Sequence, residues 1–190
     1  MKSLSEIYQN CSVPDADGHG DKGTVHTYID EYSRLLEPYR RHCTFLEIGV
    51  AYGESLKMWN EYFIDSTIVG VDISSAQCGG LLDDPQYNII IADATKPSLL
   101  EKISQYTFDV VIDDGEHQWL QSKASFEILK SKMSKGGLYV IEDIPPPPRR
   151  GFSDPRDVST QLNHPVECVE FIDNTHIKGR DDDFLLLLKF

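Results

Sequence analysis

Two short apolar runs in this chain stop abruptly at acid. Phe108–Ile112 leads into Asp113-Asp114-Gly115-Glu116-His117, and Leu138–Ile141 leads into Glu142-Asp143. Runs rich in Val and Ile read as central parallel strands, and in open α/β sheets the carboxyl ends of such strands carry the ligand site. Three or four carboxylates and one imidazole gathered at one edge repel each other unless a cation sits among them. A hard, oxygen-loving metal is the natural partner for that set.

Three more acids end three earlier apolar runs. Glu47 opens the turn Glu47-Ile48-Gly49-Val50-Ala51-Tyr52-Gly53, where Gly49 and Gly53 let the backbone bend tightly between strand and helix. A dehydrogenase turn binds pyrophosphate, which an acid at this place would repel; the ammonium group of S-adenosylmethionine suits it better. Asp72 ends Ile68–Asp72 and can accept from ribose hydroxyls. Asp93 ends Ile89–Asp93 and can accept from an adenine amino group. The plainer alternatives are a glycine turn that packs a helix on a sheet and strand-terminal aspartates that cap turns.

Taken together, Asp21-Lys22-Gly23 with His26 and Tyr28, LEIGVAYGESLKMW (46–59), GVDI (70–73), FDVVIDDGEH (108–117) and GGLYVIEDI (136–144) resemble the class I S-adenosylmethionine-dependent methyltransferases. More narrowly, they resemble the metal-dependent sugar O-methyltransferases of macrolide biosynthesis (mycinamicin and macrocin type), with cephalosporin hydroxylase-like proteins as relatives. The resemblance runs over roughly residues 20–145. It implies that Asp114, Glu142 and Asp143 hold Mg2+ (or Mn2+), and that His117 is the general base. It also implies that Glu47, Gly49 and Gly53 meet the methionine end of the cofactor, Asp72 the ribose, and Asp93 with Ala94 the adenine. Lys22 is offered to the cofactor carboxylate, with a solvated surface lysine as the alternative. Two departures stand out. Ala51 replaces a glycine common in the wider class, and the mycinamicin-type enzymes carry an N-terminal domain without counterpart in these residues, so enclosure of the acceptor is expected to differ.

The chemistry agrees with the resemblance. Moving a methyl group from a sulfonium to a hydroxyl requires an oxygen made nucleophilic and held in line with the S–CH3 bond. A sugar hydroxyl is barely ionised at neutral pH; a divalent cation lowers its pKa and a nearby imidazole can take the proton. Oxygen donors favour magnesium over zinc. His117, taken alone, could equally cap the helix expected from Gln118.

These residues need a scaffold to bring them together. Residues 1–23 read as an irregular lead-in or lid, and a helix is expected from Thr24 to about Glu37. Strands at Thr44–Ile48, Thr67–Asp72, Tyr87–Ala92, Phe108–Asp113 and Leu138–Asp143 alternate with helices at Gly53–Phe63, Pro97–Gln105 and Gln118–Met133. The prolines Pro145 to Pro148 begin an active-site loop over 144–157. Val166–Ile172 and Phe184–Phe190 close the chain as an antiparallel pair. The expected fold is a Rossmann-like, seven-stranded, mostly parallel sheet with helices on both faces, in one domain over 1–190. Trp119 and the tyrosines of the first helix read as packing. Arg149 and Arg150 could reach over the acceptor or lie exposed, and Gly179–Asp183 reads as a turn without chemistry.

Composition narrows the partners. The 190 residues carry a formal net charge of −13, which argues against nucleic acid and anionic membrane. Four scattered cysteines without CxxC spacing read as reduced thiols, and the N-terminus has no apolar signal core, so a cytoplasmic location is expected. The acceptor is a small molecule or glycan, and a homodimer is expected from the resemblance. Two other readings remain open: an oxidative enzyme like cephalosporin hydroxylase, and a non-catalytic module that holds the cofactor.

Overall fold

The computed structural model describes residues 1–11, 20–78 and 80–190. Strand segments whose residues are apolar on both faces must be covered on both faces, and this sequence supplies helices for each side. The strands are β1 (Thr44–Ile48), β2 (Thr67–Asp72), β3 (Asn88–Ile91), β4 (Phe108–Asp113), β5 (Met133–Ile141), β6 (Val169–Asp173) and β7 (Phe184–Lys189). They form one sheet in the order β3-β2-β1-β4-β5-β7-β6. The first five run parallel; β7 is antiparallel to both β5 and β6. The expected architecture, including the closing hairpin, is what forms.

The helices among the described residues are α1 (Leu4–Cys11), α2 (Asp21–Thr24), α3 (Tyr28–Leu36), α4 (Glu54–Tyr62), α5 (Ser75–Cys78), α6 (Leu99–Lys102), α7 (Trp119–Leu129), α8 (Pro155–Leu162) and α9 (Thr175–Lys178). Because successive strand residues point to opposite faces, Phe45, Val110, Ile112 and Leu187 join one core with α1, α3 and α4. Leu46, Val111, Tyr139 and Leu186 join the other with α6, α7 and α8.

Register places the chemistry. Ile48 lies beside Asp113, and Asp113 beside Ile141. The ladder continues past the strand ends, with Asp114 N–H donating to Ile48 O and Glu142 N–H to Asp113 O, both at 3.0 Å. The chain leaves β1 towards β2 on one side and meets β4 on the other. That reversal opens a crevice at the carboxyl ends of β1 and β4.

Some elements differ from the sequence reading. Leu4–Cys11 is a helix with Leu4 and Ile7 buried, where an irregular lead-in was expected. The helix expected from Thr24 starts only at Tyr28, as α3, because Thr27 gives its N–H and hydroxyl to Asp183; Thr24 instead ends the short α2. β5 begins at Met133, with its register shifted against β4 near Phe108, and ends at Ile141. Glu142 and Asp143 therefore lie just beyond it. α8 starts at Pro155, inside the expected loop, with the Asp154 carboxylate accepting from the N–H groups of Arg156 and Asp157.

Candidate active site

A cavity of about 610 Å³ lies over the ends of β1, β2 and β4. Gly49, Gly53, Asp72, Asp93, Ala94, Asp114 and His117 line it, as do Gly20, Asp21 and Lys22. No residue of the 144–157 segment lines it, and residues 12–19 of the expected lid, with His19, lie outside the described residues.

The first wall is the turn after β1. Gly49 has φ 87°, and a Cβ added there would stand 2.1 Å from Asp114 O, so the turn rests directly on the backbone leaving β4. One Asp72 oxygen accepts from the N–H groups of Val50 (2.9 Å) and Ala51 (3.1 Å), fastening the turn to the end of β2. The Asp93 carboxylate accepts from Thr95 N–H and Oγ1–H, and these donors hold its pKa below the ordinary value. Ile73, 72% exposed, stands in the wall beside Asp72. The sequence reading quoted GVDI but gave a role only to its aspartate; an apolar residue just past a strand-end acid was the signal for Ile73.

Glu47 sits behind this wall. It is fully buried, accepts from Ser55 Oγ–H (2.8 Å) and Trp59 Nε1–H (3.1 Å), and is not among the cavity-lining residues. Burial lifts its carboxyl to about 7 against the opposing pull of the Lys22 ammonium, and burial lifts Asp113 to about 6. A carboxyl raised in this way holds its proton more tightly in the folded chain than in the unfolded one. The stability it contributes is therefore present below the unfolded value and lost as pH rises through the folded one. Metal-free protein is expected to lose on the order of 3 kcal/mol through Glu47 between about pH 4.5 and 7. Thermal unfolding of metal-free Glu47→Gln from pH 5 to 8 should show a flatter decline than the parent. Equal slopes would remove Glu47 as its source.

The second wall holds the acids. Lys22 is 2% exposed, and its ammonium donates to Asp114 Oδ2 and Glu142 Oε2, both at 2.6 Å, with Glu47 Oε1 at 3.8 Å. The ammonium that the sequence reading offered to a cofactor carboxylate is thus engaged by three protein carboxylates. The Tyr32 hydroxyl donates to Glu142 Oε1, and the Tyr28 hydroxyl to Asp143 Oδ1 at 2.6 Å. The remaining Asp114 and Asp143 oxygens face His117, whose Nε2 is 3.9 Å from Asp114 Oδ1 and whose Nδ1 is 3.8 Å from Asp143 Oδ2. Ligand atoms of Asp114, His117 and Asp143 lie within 4.8 Å of one another. Glu142, nearly closed to solvent, spends its oxygens on Tyr32 and Lys22 and joins that group only through Lys22. Burial first, then Asp114, pushes the Glu142 carboxyl well up; burial likewise raises Asp143.

His26 lies on the far side of Asp143, its ring stacked 4.9 Å from that of Tyr28. Its Nδ1 is 3.3 Å from Asp143 Oδ1 and 3.7 Å from Asp183 Oδ1. Sequence reasoning counted His26 among the residues that carry the resemblance but read Tyr28 and Tyr32 as packing and Asp183 as part of a turn. Both tyrosine rings are buried, as packing requires, yet their hydroxyls reach the acids. Trp119 does pack, against Phe152, and donates to Gln161. Arg150 lies over the rings of Phe152 and Phe184, and Arg149 is 3.7 Å from Asp181. The three aspartates 181–183 turn to different partners, Asp182 to Arg180 and Asp183 to Thr27. Cys43, Cys78 and Cys168 are free thiols, and no described helix is long and apolar enough to cross a membrane.

The strand order, the closing hairpin and the crevice at the β1–β4 reversal define a class I methyltransferase fold. Within that class the chain resembles the sugar O-methyltransferases of macrolide biosynthesis. It is 36% identical over 137 residues to 8-demethyl-8-alpha-L-rhamnosyl tetracenomycin-C 2'-O-methyltransferase of Streptomyces olivaceus, a match taking in 66% of this chain and 35% of that protein. It is 31% identical over 179 residues to L-olivosyl-oleandolide 3-O-methyltransferase of Streptomyces antibioticus, taking in 84% of this chain and 44% of that one. The MycE methyltransferase of the mycinamycin biosynthetic pathway, solved with Mg, SAH and mycinamycin VI, superposes with a TM-score of 0.63 at 33% identity. That match covers 75% of this chain and 37% of MycE. The chain thus spans less than half the length of the curated relatives it matches. No family model matches it.

Proposed function

We propose that this domain transfers a methyl group from S-adenosylmethionine to a hydroxyl of a sugar or glycosylated small molecule, with Mg2+ (or Mn2+) assisting. The observation that carries the reading is one cavity with two unlike ends: Asp114 and His117 at one, with the Asp143 carboxylate close to both but outside the lining, and Asp72, Ile73, Asp93 and Ala94 at the other. Its volume is that of a small-molecule site. The Gly49–Gly53 turn admits the donor's backbone-contacting portion, Asp72 and Asp93 offer acceptors to ribose and base, and Ile73 and Ala94 offer apolar contact to a flat ring.

The donor chemistry fits a hard divalent ion. Asp114 and Asp143 present oxygens to one point beside His117; burial raises the Asp143 carboxyl and the neighbouring Asp114 adds to it, and a cation at that point would offset both. Asp114, Glu142 and Asp143 would hold the ion, Glu142 by giving up one present partner. A bound divalent ion favours the ionised form of the acceptor hydroxyl. His117 takes that hydroxyl's proton: its side chain lines the cavity, and its Nδ1, buried and turned towards Asp143, has no hydrogen-bond partner among the described residues. Mononuclear iron oxygenases use two histidines and one carboxylate. Here His117 and His26 address opposite oxygens of Asp143 and share no ligand cluster among the described residues, which favours methyl transfer over oxidation.

The same reading places the enzyme in the cytoplasm, supported by its free thiols, and as a homodimer acting on small molecules rather than nucleic acid, supported by its negative charge. It keeps 1–190 as one domain. Asp114→Asn is expected to reduce methyl transfer about 10³-fold, a loss of several kcal/mol of charge stabilisation. Methyl transfer from labelled S-adenosylmethionine, with and without exhaustive chelation, tests this; unchanged turnover in both would remove the metal from the mechanism.

A further inference from the structure

We propose that Tyr28 and Tyr32 are positioning residues that set the two consecutive acids, Glu142 and Asp143, for divalent-ion binding. The inference rests on the metal-assisted reading above. Glu142 and Asp143 lie just beyond the last residue of β5, and Asp143 has a left-handed backbone at φ 53°. The ladder reaches the Glu142 backbone through its N–H to Asp113 O, but it does not set where either carboxylate points.

α3 supplies that control. Residues four apart on a helix share a face, and Tyr28 and Tyr32 use that spacing to meet two adjacent acids. Tyr28 takes Asp143 Oδ1, which leaves Oδ2 towards His117; Tyr32 takes Glu142 Oε1, which leaves Oε2 towards Lys22. Both rings are fully buried and locked in turn. Tyr32 meets Trp59 edge-on at 5.4 Å and Tyr28 edge-on at 6.2 Å. Phenylalanine would fill the same space without a hydroxyl, so packing accounts for the rings but not for the two donors. Groups that orient metal ligands from behind commonly set ion affinity by about 10–100-fold.

Paramagnetic resonance titration with Mn2+ tests the proposal in Tyr28→Phe and Tyr32→Phe, with S-adenosylhomocysteine binding followed by calorimetry. Leu36→Ala serves as a control that weakens the same helix without touching an acid. Each Tyr→Phe variant is expected to bind Mn2+ about 10-fold or more weakly, with S-adenosylhomocysteine affinity retained and Leu36→Ala unaltered in both. Parent-like Mn2+ affinity in both Phe variants would overturn the proposal alone. An equal Mn2+ loss in Leu36→Ala would also overturn it, in favour of helix packing. A parent protein that takes up no Mn2+ would overturn the metal reading and this inference with it.

Discussion

Replacing Lys22 with Met is expected to destabilise the metal-free domain by about 3–5 kcal/mol at pH 8. The ammonium lies in a buried setting between Asp114 and Glu142, with Glu47 close by. Removing one partner of such a group leaves buried charge without compensation, which costs far more than the intact pair contributes. The loss should shrink near pH 5. Burial already holds the Glu142 carboxyl above its ordinary value, and without Lys22 it can take a proton instead. Added Mg2+ should stabilise Lys22→Met more than the parent, since the ion then supplies the missing positive charge. Denaturant unfolding at both pH values, with and without Mg2+, measures all of this. A variant as stable as the parent at pH 8 would show that Lys22 is not the counter-ion the geometry describes.

The second large effect concerns His117. Under the proposal that His117 takes the acceptor's proton, His117→Ala should lower kcat/KM by about 10²–10⁴-fold. Two roles fit its place beside Asp114 and Asp143, proton acceptor and metal ligand, and they separate cleanly. A proton acceptor can be removed with Mn2+ affinity nearly intact, whereas a ligand takes that affinity with it. Steady-state methyl transfer and Mn2+ titration on the same variant decide between them. Retained turnover would exclude both.

The parts of this fold legible in the sequence are those where burial is complete and local. β1, β2 and β4 form over the residues their apolar runs mark, because a strand covered on both faces is mostly apolar, with Glu47 in β1 and Asp109 in β4 as the charged exceptions before the strand ends. The acids that end them were legible for the same reason. The start of α3 was not, since it depends on Thr27 meeting Asp183, 156 positions away in sequence. α1 was lost in a polar stretch, where only Leu4 and Ile7 reveal its buried side. α8 was different: Asp154 followed by Pro155 is a helix-start signal that the proline run before it obscured. Within the site, the types of Asp114, His117, Glu142 and Asp143 marked them as candidates, and the structure brings Asp114, His117 and Asp143 together. The duties of Lys22, Tyr28 and Tyr32 were not legible, because a buried donor declares itself only when its acceptor's position is known.

The contact between Gly49 and the carbonyl of Asp114 has a consequence for how this scaffold can diversify. The wall that carries the glycine turn and the wall that carries the acids meet main chain to main chain, without a side chain as spacer. Neither can be shifted unless the other is recut at the same time. New acceptors are therefore best accommodated from the outer margin, where peripheral segments can be exchanged while that shared seam stays untouched.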